Sequence, residues 1–527
     1  MSSTAIDTAF ERRLAALVNS GQPEILQGGL RGVEKESLRV TPRGDLAPTA
    51  HPRALGSALT SDHITTDYSE ALIELVTPTF TTSWELLQYL LDLHEFVYRH
   101  LGDELLWTTS MPCRINGDEQ IPLAQYGSSH VGRMKTVYRS GLGLRYGRMM
   151  QAISGVHFNY SFPQQFWPAY ADILKARDPG QDFVSERYFD VLRNYRRHGW
   201  LVLYLFGVSP VVCKSFLRGR EHHLEDFGPG TAYERYATSL RMSDIGYRNR
   251  SQADLAVSVN SLREYVRDLG RAISTPHPPY AALGVNNDGE YRQLNANILQ
   301  IENEYYSFIR PKRVARSGER PTQALERAGV EYVEVRALDV SAFDPVGVNQ
   351  SKLRFLEAFV ALCLLKDSPP IAGAEQRSLD ENHVTVARRG REPGLALWRD
   401  RRSVPLRDWA RELIDSMTGI CEILDGGDPA RPYSLALADQ AAKIDDVART
   451  PSARMMAELA ATGESFFDLA LRMSKLHKEY FLDLYPPDEA RLAEFTREAE
   501  ESLAKQKAIE AADHGTFQQY LARYFST

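Results

Sequence analysis

The chain has 527 residues, 43% of them hydrophobic and 25% charged, with 62 Lys plus Arg against 69 Asp plus Glu and a net charge of −7. That is an ordinary globular balance. At roughly 100–200 residues per domain it allows two to four domains, and its acidic total argues against a dedicated nucleic-acid binder. No apolar run reaches the about 18 residues that a membrane helix needs, so no membrane partner is expected. Cys113, Cys213, Cys363 and Cys421 lie far apart. They contain no C-x-x-C pair, which removes a zinc ribbon or a thioredoxin-type site. The sparse usage fits a reducing compartment and leaves disulfide pairing open.

The N-terminus lacks an apolar signal core, and its Asp7 and Glu11 argue against a transit peptide. Residues 1–20 therefore predict a capped amphipathic helix on a cytoplasmic protein. Residues 21–160 mix glycine-punctuated strand patterns with one clear helix at 83–101. Residues 164–270 are mostly helical and rich in aromatics, and 280–345 return to strand and loop. From about Leu353 onward helix patterns dominate, at 406–424, 436–448, 465–485 and 488–513. The proline- and glycine-bearing stretch 367–373 marks a boundary. The expected architecture is α+β. It has an N-terminal helix at 1–20, a sheet-bearing catalytic region at 21–366 and a helical C-terminal part at 367–527 packed on it.

Common signatures are missing. No Gly-Lys dipeptide exists, so there is no Walker A loop. The Rossmann glycine fingerprint, H-E-x-x-H and the nucleophile elbow are absent as well. The chemistry lies instead in strand parity, because alternate residues of a strand share a face. In VEKESLRV (33–40), Glu34 and Glu36 point the same way. In VHFNYSF (156–162), His157, Asn159 and Ser161 oppose Val156, Phe158, Tyr160 and Phe162. In YVEVRAL (332–338), Tyr332, Glu334 and Arg336 share a face. In the strand at 70–76, Glu70 and Glu74 share a parity, with Asp67 just ahead.

A single strand with one wet face is usually just that. Together these faces place Glu34, Glu36, Asp67, Glu74, Glu334 and His157 on one concave surface. Carboxylates crowded in this way require cations. Hard oxygen ligands with one imidazole favour Mg²⁺ or Mn²⁺. Metals there would hold a triphosphate without a phosphate-binding loop, and Arg336 would stabilise charge at the transferring phosphoryl group. Three basic, aromatic-bearing segments, at 134–151, 239–250 and 300–313, suit small anions better than RNA in so acidic a chain.

These residues also carry a family likeness. GLRGVEKESLRV, ITTDYSEALIELVTP, LWTTSMPC, KTVYRSGLGLRYGRMMQAISGVHFNYSF, TSLRMSDIGYRNRSQ, LQIENEYYSFIRPKR and YVEVRALDVSAFDP together resemble the glutamate–cysteine ligases of gamma-proteobacteria. The likeness runs in order over about 28–345 and is loose after about 351. It implies a glutamine synthetase-like fold: a curved antiparallel sheet forming a funnel, surrounded by helices. It also implies ATP- and Mg²⁺-dependent joining of the γ-carboxylate of glutamate to the amine of cysteine, the first step of glutathione synthesis.

By position in the motifs, the resemblance makes Glu34, Glu36, Asp67, Glu74, His157 and Glu334 metal ligands. It places Tyr68, Tyr138, Leu142, Gln151, Tyr247 and Tyr306 around the cysteine side chain. Arg139, Arg241 and Arg336 fall where carboxylate and phosphoryl charges bind, and Lys312 on the nucleotide side. The catalytic residues expected are Arg336, Arg241 and Glu334. The partners expected are glutamate, cysteine and ATP, bound by a monomer. A reactive acyl phosphate must be kept from water, so a loop at 117–132 or 284–289 is expected to close over the funnel.

Overall fold

The computed structural model describes residues 8–246, 255–316 and 318–526. At its centre is one antiparallel sheet of seven strands: β1 (Leu30–Val40), β2 (Ile64–Thr66), β3 (Leu72–Val76), β4 (Leu105–Leu106), β5 (Val156–Ser161), β6 (Ile309–Lys312) and β7 (Tyr332–Leu338). The spatial order is β6-β7-β5-β1-β3-β2, with β4 pairing the end of β1. The helices used below are α1 (Thr8–Asn19), α2 (Ser83–His100), α3 (His130–Tyr146), α4 (Gln181–His198), α5 (Gln350–Leu365), α6 (Leu406–Asp425), α7 (Pro432–Asp445), α8 (Glu489–Ala512) and α9 (Phe517–Ser526).

The expected strands at 33–40, 156–162 and 332–338 form, and the helix at 83–101 is α2. Its start is set by an N-cap, in which Thr82 Oγ1 accepts from the Glu85 amide and donates to the Glu85 carboxylate. Asn349 caps α5 through the Lys352 amide. The helix expected at 465–485 is interrupted. It runs as Phe466–Glu479 and ends in a π-turn over Tyr480–Leu484. No helix of the described residues is long and apolar enough to cross a membrane.

Register aligns the polar face. Glu34 pairs with Val76 on one side and His157 on the other, and Glu36 pairs with Glu74. Glu334 pairs with Asn159 and with Arg310. Directly opposed residues share a face, so parity within strands becomes a patch across them. The reverse face of β5 and β7 (Val156, Phe158, Tyr160, Val333 and Val335) is buried in one core with α4 and α5. Helix α5 is buried almost all round, as its near-continuous apolar sequence requires.

The reverse face of β1 is not apolar. Arg31 forms a buried ion pair with Glu357 of α5 at 2.6 Å, and the Tyr433 hydroxyl of α7 donates to the same carboxylate at 2.7 Å. Neither partner is affordable alone in that core. Lys35 donates to Ser37 Oγ at 2.5 Å and lies 3.1 Å from His94 Nε2, with no carboxylate bound to it among the described residues. Burial pulls its ammonium down to about 7. A lysine whose folded pKa lies below its unfolded one binds fewer protons when folded, so stability rises with pH from about 7 toward about 10. Lys35→Met should flatten that rise. The check is melting temperature against pH for both proteins, and parallel curves would show that Lys35 does not carry it.

Cys113 and Cys213, 100 residues apart in sequence, form a disulfide, whereas Cys363 and Cys421 are buried thiols. Sequence spacing alone left this pairing open.

Candidate active site

The concave face of the sheet and helix α3 enclose a cavity of about 510 Å³. All six expected metal ligands, Glu34, Glu36, Asp67, Glu74, His157 and Glu334, line it. So do Tyr68, Tyr138, Arg139, Leu142, Gln151 and Tyr306, together with Lys312 and Arg336. Tyr247 lies outside the described residues. Arg241 does not line the cavity. It is 1% exposed and lies behind the wall, its two Nη atoms donating to the Arg336 carbonyl at 3.3 Å.

The acids sit close together. Glu34, Glu74 and His157 each offer a ligand atom, all within 4.8 Å of one another. His157 Nδ1 is 3.0 Å from Glu34 and 3.7 Å from Glu334, and its Nε2 is 3.9 Å from Glu36. Asn159 donates to Glu34 at 2.9 Å, and the Gly155 amide donates to Glu36 at 2.6 Å. Burial and the neighbouring charge of Asp67 push Glu36 up to about 8, and burial with Asp67, Glu34 and Glu36 pushes Glu74 well up. Burial is the larger cause and repulsion among the carboxylates adds to it, and a bound cation would favour the charged forms against both.

The other end of the cavity is basic. Arg336 Nη1 donates to Glu334 at 3.0 Å, and Lys312 Nζ lies 3.6 Å from the same carboxylate. Burial raises the Glu334 pKa, but Arg336, Lys312 and His157 outweigh it and hold the group well below the usual carboxylate range. The cavity therefore has an acidic floor for cations and a cationic rim for anions. Beside them is an aromatic side pocket where Tyr68 is 1% exposed and its hydroxyl has no hydrogen-bond partner among the described residues. Arg139 stands between, stacked over Tyr126 at 4.6 Å and donating through Nε to the Asp67 carbonyl.

Not every basic residue of the three segments serves anions. Arg145 is buried against Glu304 at 2.9 Å and Gln293 at 2.9–3.0 Å, and it faces the Tyr280 ring at 4.3 Å. Arg313 donates to the carbonyls of Ala328 and Gly329. Both hold loops in place. Conversely, Met150, Asn303 and Tyr524 line the cavity without having been singled out from the sequence, and so does Lys135, one of the cations of the 134–151 segment. Burial and then Arg139 pull Lys135 down to about 8.

Gly155 shows how tightly the wall is built. A Cβ there would collide with Arg241 Nη2 and lie 2.8 Å from its Cζ. Gly155→Ala should displace Arg241 and the Arg336 carbonyl it holds. The expected cost is about 1–3 kcal/mol of stability and about a tenfold fall in kcat/KM for the anionic substrate. Unchanged steady-state kinetics would show that Arg241 does not position Arg336.

Residues 14–386 match the family model for glutamate–cysteine ligase. The chain belongs to the glutamate–cysteine ligase family. The enzyme of that name from Alcanivorax borkumensis is 49% identical over 521 residues, covering 98% of this chain and 99% of that one. The Azotobacter vinelandii glutamate–cysteine ligase is 49% identical over 519 residues, 98% of each chain. The crystal structure of the Francisella tularensis glutamate–cysteine ligase in complex with AMP superposes with a TM-score of 0.89 at 38% identity, over 95% of this chain and 98% of that one. A bifunctional glutathione synthetase from Pasteurella multocida shares the fold, with a TM-score of 0.70 at 22% identity, over 90% of this chain and 55% of that one. The α+β, glutamine synthetase-like architecture expected of the family is the one observed.

Proposed function

We propose that the protein joins the γ-carboxylate of glutamate to the amine of cysteine with hydrolysis of ATP, giving γ-glutamylcysteine, ADP and phosphate, the first step of glutathione synthesis. What supports this most strongly is the meeting, in one cavity, of an acidic floor, the cationic pair Arg336 and Lys312, and an aromatic side pocket.

The floor suits Mg²⁺ or Mn²⁺: its donors are carboxylates with one imidazole, and they repel one another without a cation. Glu34, Glu74 and His157 would hold the ion, with Glu36, Asp67 and Glu334 beside them. A bound ion would neutralise triphosphate oxygens and make the terminal phosphorus easier to attack. Arg336 then holds negative charge where the γ-carboxylate and the transferring phosphoryl group meet, and Lys312 lies on the nucleotide side. The carboxylate takes the phosphoryl group, and the resulting acyl phosphate is a better electrophile because phosphate is a good leaving group. The cysteine amine displaces that phosphate while Tyr68, Tyr138, Leu142, Gln151 and Tyr306 grip the side chain. Tyr247 is assigned to this pocket by its motif alone. None of the chain's cysteines lines the cavity, so no protein thiol serves as nucleophile. We assign the protein to the cytoplasm as a monomer, with residues 21–366 as the catalytic region.

The test is ADP release with Mg²⁺, ATP and glutamate as amines are supplied in turn. Cysteine and 2-aminobutyrate should support strong turnover and ammonia little, because the pocket reads side-chain shape. Turnover with hydroxylamine but not cysteine would keep the acyl phosphate and discard the acceptor. No ADP release from the folded protein would leave a non-catalytic relative.

A further inference from the structure

The C-terminal helix α9 lies outside the residues matched by the family model. Its buried Phe517 and Leu521 pack on Met134 and Val137 of α3 and on Leu294 and Ile301. Arg133 stacks over Phe517 at 4.5 Å. The segment before it is anchored as well. Glu510 accepts from the Ser128 amide at 2.8 Å, Asp513 accepts from the His130 amide at the start of α3, and Gln506 accepts from Ser57 at 2.5 Å. The 117–132 loop, expected to be a closing loop, is thus pinned at its C-terminal end by α8 and the turn after it.

This packing carries α9 to the catalytic cavity. Tyr524 lines that cavity beside Met134, Ile301 and Pro321. The next residues, Phe525 and Ser526, line a separate cavity of about 1240 Å³. Residues 319–322 alternate in the same way: Glu319 and Pro321 face the catalytic cavity, and Arg320 and Thr322 face its neighbour. Two short segments therefore form the partition between the two spaces. Tyr524 is half-buried within it, and burial with the nearby Glu302 carboxylate raises its phenol pKa, so it stays neutral.

We propose that Tyr524 is a wall residue of the active site, and that α9 keeps water from the γ-glutamyl phosphate until the amine attacks. The inference rests on the ligase reading above. If water enters, it attacks the γ-carbonyl carbon and the carbon–oxygen bond to phosphate breaks. Glutamate and phosphate leave, and one ATP is spent without product. A leaking wall therefore shows as excess ADP over dipeptide, which a merely structural defect would not produce.

The experiment measures ADP and γ-glutamylcysteine together in the full-length protein. The variants are Tyr524→Ala, Leu521→Ala and, as an exposed control on the same helix, Gln518→Ala, each with its melting curve. Wild type and the control should make about one ADP per dipeptide. Tyr524→Ala should raise that ratio about threefold or more and speed glutamate-dependent ADP release without cysteine. Leu521→Ala, which loosens the helix, should do the same. A ratio that stays near one in both variants, even with slower turnover, overturns the proposal. A wild type that makes no dipeptide would instead overturn the ligase reading.

Discussion

Glu334→Gln is expected to lower kcat about a thousandfold or more while the protein stays folded. Glu334 is 1% exposed, on β7 between β6 and β5, and it touches both halves of the site. It faces the cations Arg336 at 3.0 Å and Lys312 at 3.6 Å, and it faces His157 at 3.7 Å. The amide keeps the shape but removes the charge. Arg336 and Lys312 then lose the counter-charge that holds them, and the floor loses a negative charge in the low-dielectric setting where it counts most. The measurement is kcat under saturating substrates, with circular dichroism as the check on folding. Near-normal turnover in the folded variant would remove Glu334 from the reacting set.

Arg336→Lys is expected to lower kcat/KM for glutamate about a hundredfold. The guanidinium donates through Nη1 to Glu334 and lines the cavity, where a planar carboxylate or phosphoryl group is best met by two parallel donors. An ammonium can satisfy Glu334 or the substrate, but it cannot present a fork. The backbone amide of Arg336 already donates to Phe308 at 2.9 Å, so the strand itself should be unaffected. A loss confined to the KM for cysteine would contradict this placement.

The sequence disclosed the site where local geometry repeats. Glu34 and Glu36, His157 and Asn159, and Glu334 and Arg336 are two residues apart, so each pair shares a face whatever the tertiary fold. Their meeting depends on register, as in Glu34 beside His157 and Glu36 beside Glu74, and no local pattern encodes that. The family resemblance added Tyr68, Tyr138, Arg139, Leu142, Gln151, Tyr306 and Lys312 to the lining. Two features were beyond both. Arg145 lies in a segment read as anion-binding but is held by Glu304. Tyr524 reaches the cavity only because Phe517 and Leu521 dock α9 on α3, a contact about 380 residues apart in sequence.

The proposed reaction requires the funnel to convert the γ-carboxylate of glutamate into an acyl phosphate before the amine attacks. The most direct measurement uses glutamate carrying ¹⁸O in both γ-carboxylate oxygens, with ATP, Mg²⁺ and cysteine in unlabelled water. Mass analysis of the phosphate and dipeptide should find one labelled oxygen in each, because the carboxylate oxygen that attacks phosphorus leaves with it. Unlabelled phosphate alongside a normal yield of dipeptide would rule out the acyl phosphate.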